Sequence, residues 1–150
     1  YEADAAAVMN ALTTFNPRDT AVLFAQDKAT AGAAGNDSAG SIRLIYNDND
    51  EVAYAANSAT GGFAVFSEVY YSKGWKAYVD GKETPIVRTN YVLRGIQIPA
   101  GQHQVKFEFK PSSYYTGNTV SLIAGLLVFA LLAAAIWQWY RHRNRAVAVK

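Results

Sequence analysis

The chain has 150 residues, the size of one domain with at most one appended segment, and 51% of them are hydrophobic, which is enough for a packed core. It contains no cysteine, which excludes disulfides, thiolate catalysis and cysteine-based metal sites. The net charge is +2, but the basic excess lies in the last ten residues and the part before residue 111 is slightly acidic, so the sequence does not indicate the basic face of a nucleic-acid-binding domain.

The N-terminal part predicts a short helix, a strand and a loop. The chain begins at Tyr1 without a signal peptide, so we expect it to belong to a longer or processed protein. Residues 3–13 are rich in Ala, Met and Leu, which favour a helix, and the Asn-Pro pair at 16–17 ends it. A strand is predicted at 20–24, and the small polar residues 27–40 are typical of a loop.

Alternation between apolar and polar residues then predicts paired β-strands. Residues 42–46 and a return strand from Val52 flank the Asn/Asp-rich turn at 47–50, and this pattern predicts a hairpin. The largely apolar run at 63–71 predicts a central strand, because a strand that is covered on both faces shows no alternation.

Further strands are predicted at 75–79, 82–87, 91–98 and 103–110. The Asp80-Gly81 pair between the first two is a hairpin signal, since the tight turn needs positive φ at both positions. Pro85 predicts an edge position for the second strand, because proline cannot donate a ladder hydrogen bond. About eight short strands predict a mainly β fold, an antiparallel β-sandwich or jelly-roll-like domain with a short N-terminal helix and one C-terminal transmembrane α-helix.

The C-terminal part predicts a membrane span at residues 120–140, which contain no charged residue. As a helix they rise ~31 Å, which matches a hydrocarbon core of ~30 Å. The alternative is a buried helix of a soluble protein, and such helices are usually shorter. The predicted interfacial anchor consists of Trp137, Trp139, Tyr140, Arg141, Arg143 and Arg145.

The basic residues after the span predict its orientation, because basic flanks stay on the cytoplasmic side. The domain would then be extracytoplasmic and the C-terminus cytoplasmic. The predicted boundaries are 1–112 for the β-sandwich domain, 113–119 for a juxtamembrane linker, 120–140 for the transmembrane helix and 141–150 for a basic tail.

Aromatic residues concentrate between residues 70 and 91, and two interpretations of them stay open. Sugar rings stack on exposed aromatic faces, so Tyr78, Tyr71 and Trp75 are candidate glycan contacts. The alternative is that they belong to the sandwich core, where aromatic residues are common. Strand alternation favours the core for Trp75 and leaves Tyr78 on the opposite face.

Two charged residues, Glu68 and Arg94, lie inside otherwise apolar strands. Buried charges need partners, so we predict a structural ion pair between them or contacts with backbone groups. Asp48, Asp50 and Glu51 could hold a divalent cation, but an Asx-rich turn explains them without one. No residue pattern indicates a catalytic group, a metal site or a cofactor in this chain.

Three segments within residues 63–111, FSE-x-YY-x-x-GWKAYVDGK, NYVLRG and PAG-x-H-x-V-x-F-x-F-x-P, occur in this order, and FNPRDTAVL precedes them at 15–23. The combined pattern resembles the C-terminal region of the YfhO family of bacterial multipass membrane proteins. The resemblance extends over most of the chain and includes the terminal helix.

This resemblance implies a location in the bacterial cytoplasmic membrane, with the lipid bilayer and upstream transmembrane helices of the same polypeptide as partners. Members of the family look like GT-C type glycosyltransferases that use a lipid-linked sugar donor. Their catalytic region lies upstream of the part matched here, so no catalytic residue is carried over to this chain.

Two functional hypotheses follow. In the first, the chain is the non-catalytic C-terminal module and last span of a YfhO-like protein that glycosylates a cell-envelope polymer or lipid. In the second, it is a stand-alone membrane-anchored module that binds an envelope glycan or a protein.

Overall fold

The structure, a computed structural model, describes residues 1–33, 35 and 37–147, with side chains up to Arg141. The chain divides into two compact units, Tyr1–Lys110 and Pro111–Lys150. The first unit is mainly antiparallel β, and the second contains one long helix. The strands are β1 Ser41–Asn47, β2 Glu51–Ser58, β3 Gly62–Val69, β4 Trp75–Val79, β5 Lys82–Thr84, β6 Val87–Thr89, β7 Leu93–Ile98 and β8 Gly101–Phe109.

The eight strands form two sheets that enclose a common core. The larger sheet has the order β1-β2-β8-β4-β5, and the smaller one has the order β3-β7-β6. Phe66 of the smaller sheet packs edge-on against Phe107 of the larger one, with ring centroids 4.9 Å apart. The predicted antiparallel β-sandwich is therefore confirmed.

Strand alternation explains which residues form this core. In β8, Val105 and Phe107 are fully buried, whereas Gln104 before them is exposed and Lys106 between them is only partly buried. Ile96 and Ile98 point inward from β7 in the same way. The core is completed by Ala56, Ala77 and Val79.

The N-terminal segment packs against the other face of the smaller sheet. Leu23 and Ala31 form a second apolar cluster with Val87 of β6, and Phe63 of β3 packs against it. The helix α1, Ala5–Ala11, begins where the Asp4 carboxylate accepts the Ala7 N–H at 2.8 Å.

Three expectations about the N-terminal segment and β3 are wrong. Residues 20–24 form no strand but two isolated bridges, because the Asn90 side chain and not a neighbouring strand accepts the Val22 N–H. Part of the predicted loop is helical, with a 3₁₀ turn at Ala25–Asp27 and helix α2 at Lys28–Ala31. The apolar strand β3 is an edge strand of the smaller sheet, because among the described strands it pairs with β7 alone. Its apolar composition reflects cover on both faces: Phe66 packs in the sandwich core, and Phe63 packs against the cluster of the N-terminal segment.

The hairpin β1–β2 and the turn at Asp80-Gly81 occur as predicted. Asp80 and Gly81 have φ of 50° and 80°. The predicted return strand after this turn is interrupted at Pro85: β5 ends at Thr84 on the edge of the larger sheet, and the chain crosses to β6 in the smaller one.

The second unit is the helix α3, Ser112–Val147. Residues 113–119, expected to form a linker, lie within this helix; the stretch has no proline to interrupt it. Its segment Ser112–Arg141 is long and apolar enough to cross a membrane.

Candidate functional site

An open cavity of about 170 Å³ lies beside the β4–β5 hairpin and the loop that connects β3 to β4. Tyr71 and Trp75, two of the three candidate glycan contacts, line this cavity together. Tyr70 lines it as well, although it was not among the candidates. We call this space the aromatic cavity.

Trp75 forms the inner wall of the aromatic cavity. It shares the core-facing side of β4 with Ala77 and Val79, and it is half-buried. Its ring centroid lies 5.4 Å from that of Phe109. Tyr71 contacts the same Phe109 ring at 6.5 Å and remains 53% exposed, so its face is available to a ligand.

The rim of the aromatic cavity is polar. Lys76 Nζ lies 3.0 Å from Glu83 Oε2, and the hydrogen bond to Glu83 raises the pKa of the Lys76 ammonium group. Thr84 and Ser72 add hydroxyl groups to the lining. Apolar ring faces beside fixed donors and acceptors can take up a sugar, which has apolar C–H faces and hydroxyl edges.

Tyr78 does not line this cavity. It lies on the outer face of the larger sheet, where the strand register places it opposite Glu83 and Lys106. The structure therefore separates the three candidate glycan contacts into two sites. Alternation in β4 predicts this separation, because Trp75 and Tyr78 are an odd number of residues apart.

Glu68 and Arg94 approach each other between the two sheets. The Arg94 side chain is 2% exposed, and its Nη2 lies 3.2 Å from Glu68 Oε2. A register irregularity in β3 between Phe66 and Val69 contains Glu68, and such bulges re-aim side chains. Burial lowers the pKa of the Arg94 guanidinium, and the Glu68 carboxylate opposes this shift.

Aromatic rings complete the surroundings of Arg94. Its guanidinium carbon lies 4.5 Å from the Trp75 ring centroid and 4.2 Å from that of Phe107. The Tyr54 hydroxyl donates to Glu68 Oε1 at 3.4 Å. Burial, followed by the Glu68 charge, raises the pKa of the Tyr54 hydroxyl. The guanidinium therefore connects the core to the inner wall of the aromatic cavity.

A second charged pair, His103 of β8 and Asp80 of the β4–β5 turn, lies beside this turn. His103 Nδ1 lies 2.6 Å from Asp80 Oδ2, and its Nε2 lies 3.2 Å from the Ala100 carbonyl oxygen. Because both partners are acceptors, only the doubly protonated ring donates to both. The hydrogen bond to Asp80 raises the pKa of the His103 imidazole, and the same bond lowers the pKa of the Asp80 carboxyl.

The acidic residues near the β1–β2 turn are arranged as turn residues. Asp48 Oδ1 accepts the Asn49 N–H at 2.7 Å, and the Asp48 N–H donates to the Glu51 carbonyl at 2.8 Å. The Glu51 carboxylate lies 3.4 Å from Lys106 Nζ. Among the described residues, no group of three or more His, Asp or Glu side chains is arranged to hold a metal ion.

The predicted interfacial anchor lies on α3. Trp137, Trp139 and Tyr140 are each more than half exposed on this helix. The side chain of Arg141 is exposed as well. Arg143 and Arg145 also belong to the predicted anchor, but their side chains are not among those that the structure describes.

Comparison with known proteins gives one match. The model of the family described as "Bacterial membrane protein YfhO" matches residues 27–121, which is more than half of the chain. No curated protein and no solved structure was found to match. The family match confirms the resemblance seen in the sequence, and together with the apolar helix it associates the chain with the lipid bilayer.

Proposed function

Because the chain belongs to the YfhO family, we propose that it is the non-catalytic C-terminal extracytoplasmic module and last membrane span of a larger protein of this family. This protein would glycosylate a cell-envelope polymer or lipid in the bacterial cytoplasmic membrane. Its partners would be the upstream transmembrane helices of the same polypeptide. One observation carries the proposal: the folded unit ends at Lys110, and a helix apolar enough to span a membrane begins at Ser112.

The orientation can be tested in intact cells, because the natural chain has no cysteine. Lys82→Cys places a single thiol on the exposed edge strand β5, and Lys150→Cys places one at the end of the basic tail. With an extracytoplasmic domain, a membrane-impermeant maleimide labels Lys82→Cys in intact cells and labels Lys150→Cys only after lysis. The opposite pattern would contradict the proposed orientation.

The role in glycosylation is tested in the native protein of the family. Tyr71→Ala combined with Trp75→Phe changes the aromatic cavity and leaves the span intact. If the module guides the acceptor, this pair of changes raises the KM for the acceptor and leaves kcat nearly unchanged. Unchanged sugar transfer at limiting acceptor would remove acceptor guidance from the proposal.

A second candidate function is that of a membrane-anchored glycan-binding or protein-binding module. The observation that favours glycan binding is the aromatic cavity, in which Tyr71 and Trp75 lie beside the Lys76–Glu83 ion pair. Its test is a titration with oligosaccharides released from the cell envelope. In a background with Trp137→Phe and Trp139→Phe, Trp75 is the remaining tryptophan and its fluorescence reports directly on the cavity.

Two variants distinguish the possible glycan sites. We expect Tyr71→Ala to weaken binding about two- to tenfold, the range of an aromatic contact, and Tyr78→Ala to have no effect. Loss of oligosaccharide binding with Tyr78→Ala, but not with Tyr71→Ala, would assign the site to the outer face of the larger sheet. If neither change affects the titration, the chain is not a glycan-binding module.

A further inference from the structure

We propose that the loop between β3 and β4 docks onto the surface of the membrane that α3 enters, which gives the β-domain a lipid contact of its own. Residues 70–74 form this loop, and Val69 precedes it at the end of β3. Val69 is 70% exposed and Tyr71 is 53% exposed. Removal of apolar surface from water is favourable, so these side chains favour an apolar partner.

A neighbouring turn adds a third exposed apolar side chain. Val92 lies between β6 and β7 and is 49% exposed. The Tyr70 N–H donates to the Val92 carbonyl oxygen at 2.7 Å, so the two segments lie side by side at one end of the sandwich. We call Val69, Tyr71 and Val92 the apolar tip. Within Tyr1–Lys110, Val69 has the largest exposed fraction among the large hydrophobic side chains that the structure describes.

The turns at the opposite end of the sandwich are polar. They consist of residues 59–61, 80–81 and 99–100, which the structure describes in full, and none of them has an exposed large hydrophobic side chain. The contrast between the two ends assigns the lipid contact to the end with the apolar tip.

Short contacts hold the loop beside the residues that lead into the membrane segment. The Lys110 N–H donates to the Gly74 carbonyl oxygen at 2.6 Å. The Tyr71 ring lies 6.5 Å from that of Phe109, the last residue of β8. The apolar segment begins at Ser112, two residues after Lys110, which is at most ~7 Å along the chain. The loop therefore stays close to the point at which the chain enters the bilayer.

The length of the membrane segment places its start at the level of the lipid headgroups. The segment Ser112–Arg141 has 30 residues, which rise ~45 Å as a helix. This length matches a bilayer with its headgroup regions, ~40–45 Å, and exceeds the hydrocarbon core of ~30 Å. Tyr114 and Tyr115 near its start are more than half exposed, and tyrosine favours this interfacial zone. The apolar tip would reach the same zone, because its loop is tied to Lys110.

The charges at this end of the sandwich favour apolar insertion over attraction to anionic headgroups. Lys73 is the single charge within the loop. Asp48 and Asp50 lie in the adjacent turn between β1 and β2. The Lys110 ammonium group is paired with the Glu108 carboxylate. We therefore expect the contact to form with zwitterionic lipids and to need no anionic lipid.

Fluorescence quenching by labelled lipids tests the contact, since the chain has no natural cysteine. The full chain is reconstituted into phosphatidylcholine vesicles with a single fluorophore on Val69→Cys. The matched control is Ala100→Cys beside the far end of β8, a strand that extends ~26 Å from Gly101 to Phe109. We expect lipids with a nitroxide near the headgroup to quench the fluorophore at residue 69 and to leave that at residue 100 unquenched. Equal quenching at the two positions would contradict the proposal.

This experiment is independent of the proposed orientation and of glycan binding. The nitroxide lipid is present in both leaflets, so a chain inserted in either direction gives the same result. Tyr71 is unchanged in both variants, so the aromatic cavity keeps its lining.

A charge substitution distinguishes docking from mere proximity to the span. With the fluorophore on Val92→Cys, we expect Val69→Asp to lower the population of the docked loop, and with it the quenching, by up to about tenfold, because one valine side chain no longer leaves water. Ala100→Asp is the matched control and should leave the quenching unchanged. Thermal unfolding checks that each variant is folded. Quenching that survives Val69→Asp would reflect the tether alone and overturn the proposal, as would quenching that requires anionic lipid.

Discussion

Removal of the Glu68 carboxylate would leave the Arg94 guanidinium without its ion-pair partner inside the sandwich. The Arg94 side chain is 2% exposed, and among the described residues its ion-pair partner is Glu68. Breaking a buried ion pair by removal of one partner costs about 3–5 kcal/mol. Because the Glu68 side chain is 32% exposed and water can reach the site, we expect the lower end, about 3 kcal/mol, for Glu68→Gln.

The assay is thermal unfolding in detergent, followed by the fluorescence of Trp75 in the background with Trp137→Phe and Trp139→Phe. Trp75 stacks on Arg94 at 4.5 Å, so it reports on the site that is changed. About 3 kcal/mol corresponds to a fall of more than about 10 °C in the unfolding midpoint of a domain of this size.

A control and a compensating variant make the prediction specific. Glu83→Gln removes the carboxylate of an exposed pair with Lys76 and should change the midpoint little. Glu68→Gln combined with Arg94→Met should recover most of the loss, since it leaves no unpaired charge in the core. The reasoning is refuted if Glu68→Gln lowers the midpoint no more than Glu83→Gln does.

Two further predictions concern packing and pH. A Cβ at residue 95 would lie 2.4 Å from the Phe63 ring, so Gly95→Ala should destabilise the domain by about 1–3 kcal/mol, measured by denaturant unfolding. The raised pKa of His103 adds stability that is fully present below the unfolded pKa of about 6.5 and is lost as the pH rises through the folded pKa. The lowered pKa of Asp80 adds stability that is present above its usual 3.8 and is lost as the pH falls through the folded pKa. The stability difference between the natural chain and His103→Gln should therefore be largest between about pH 4 and 6.5 and shrink at higher pH; a difference that does not vary with pH would contradict the pair.

The fold could be predicted where local patterns determine it. The hairpin turn at Asp80-Gly81 and the alternation in β8 are local signals, and the structure agrees with both. The position of β3 could not be predicted in this way. Its apolar run is equally suited to a central strand and to an edge strand covered by another segment, and only the tertiary packing of the N-terminal residues decides between them.

The turn between β6 and β7 shows a second limit. The predicted strand began at Tyr91, but β7 begins at Leu93, because Asn90 and Tyr91 both adopt positive φ. Such a conformation is common for Asn and rare for Tyr. The Asn90 side chain accepts the Val22 N–H at 2.8 Å, a contact across 68 residues that no local pattern reveals.

The candidate site was only partly predictable for the same reason. Alternation within β4 separates Trp75 from Tyr78, and this separation can be read from one strand. The joining of Tyr71 with Trp75 depends on the path of the loop between β3 and β4 and on their shared contact with Phe109, which belongs to β8. Tyr71 and Trp75 come together through their contacts with Phe109, a residue distant in the sequence, and such contacts leave no spacing signal.

Trp75 joins the buried charge to the aromatic cavity, so stability and ligand binding should not be independent in this domain. One face of its ring is held by the Arg94 guanidinium, and the ring also lines the cavity. Glu68 holds Arg94 in turn. A change at Glu68 would therefore loosen the wall of the aromatic cavity without touching a ligand there. Tyr71→Ala, in contrast, removes contact surface and leaves the Glu68–Arg94 pair intact, so it should reduce binding at nearly constant stability.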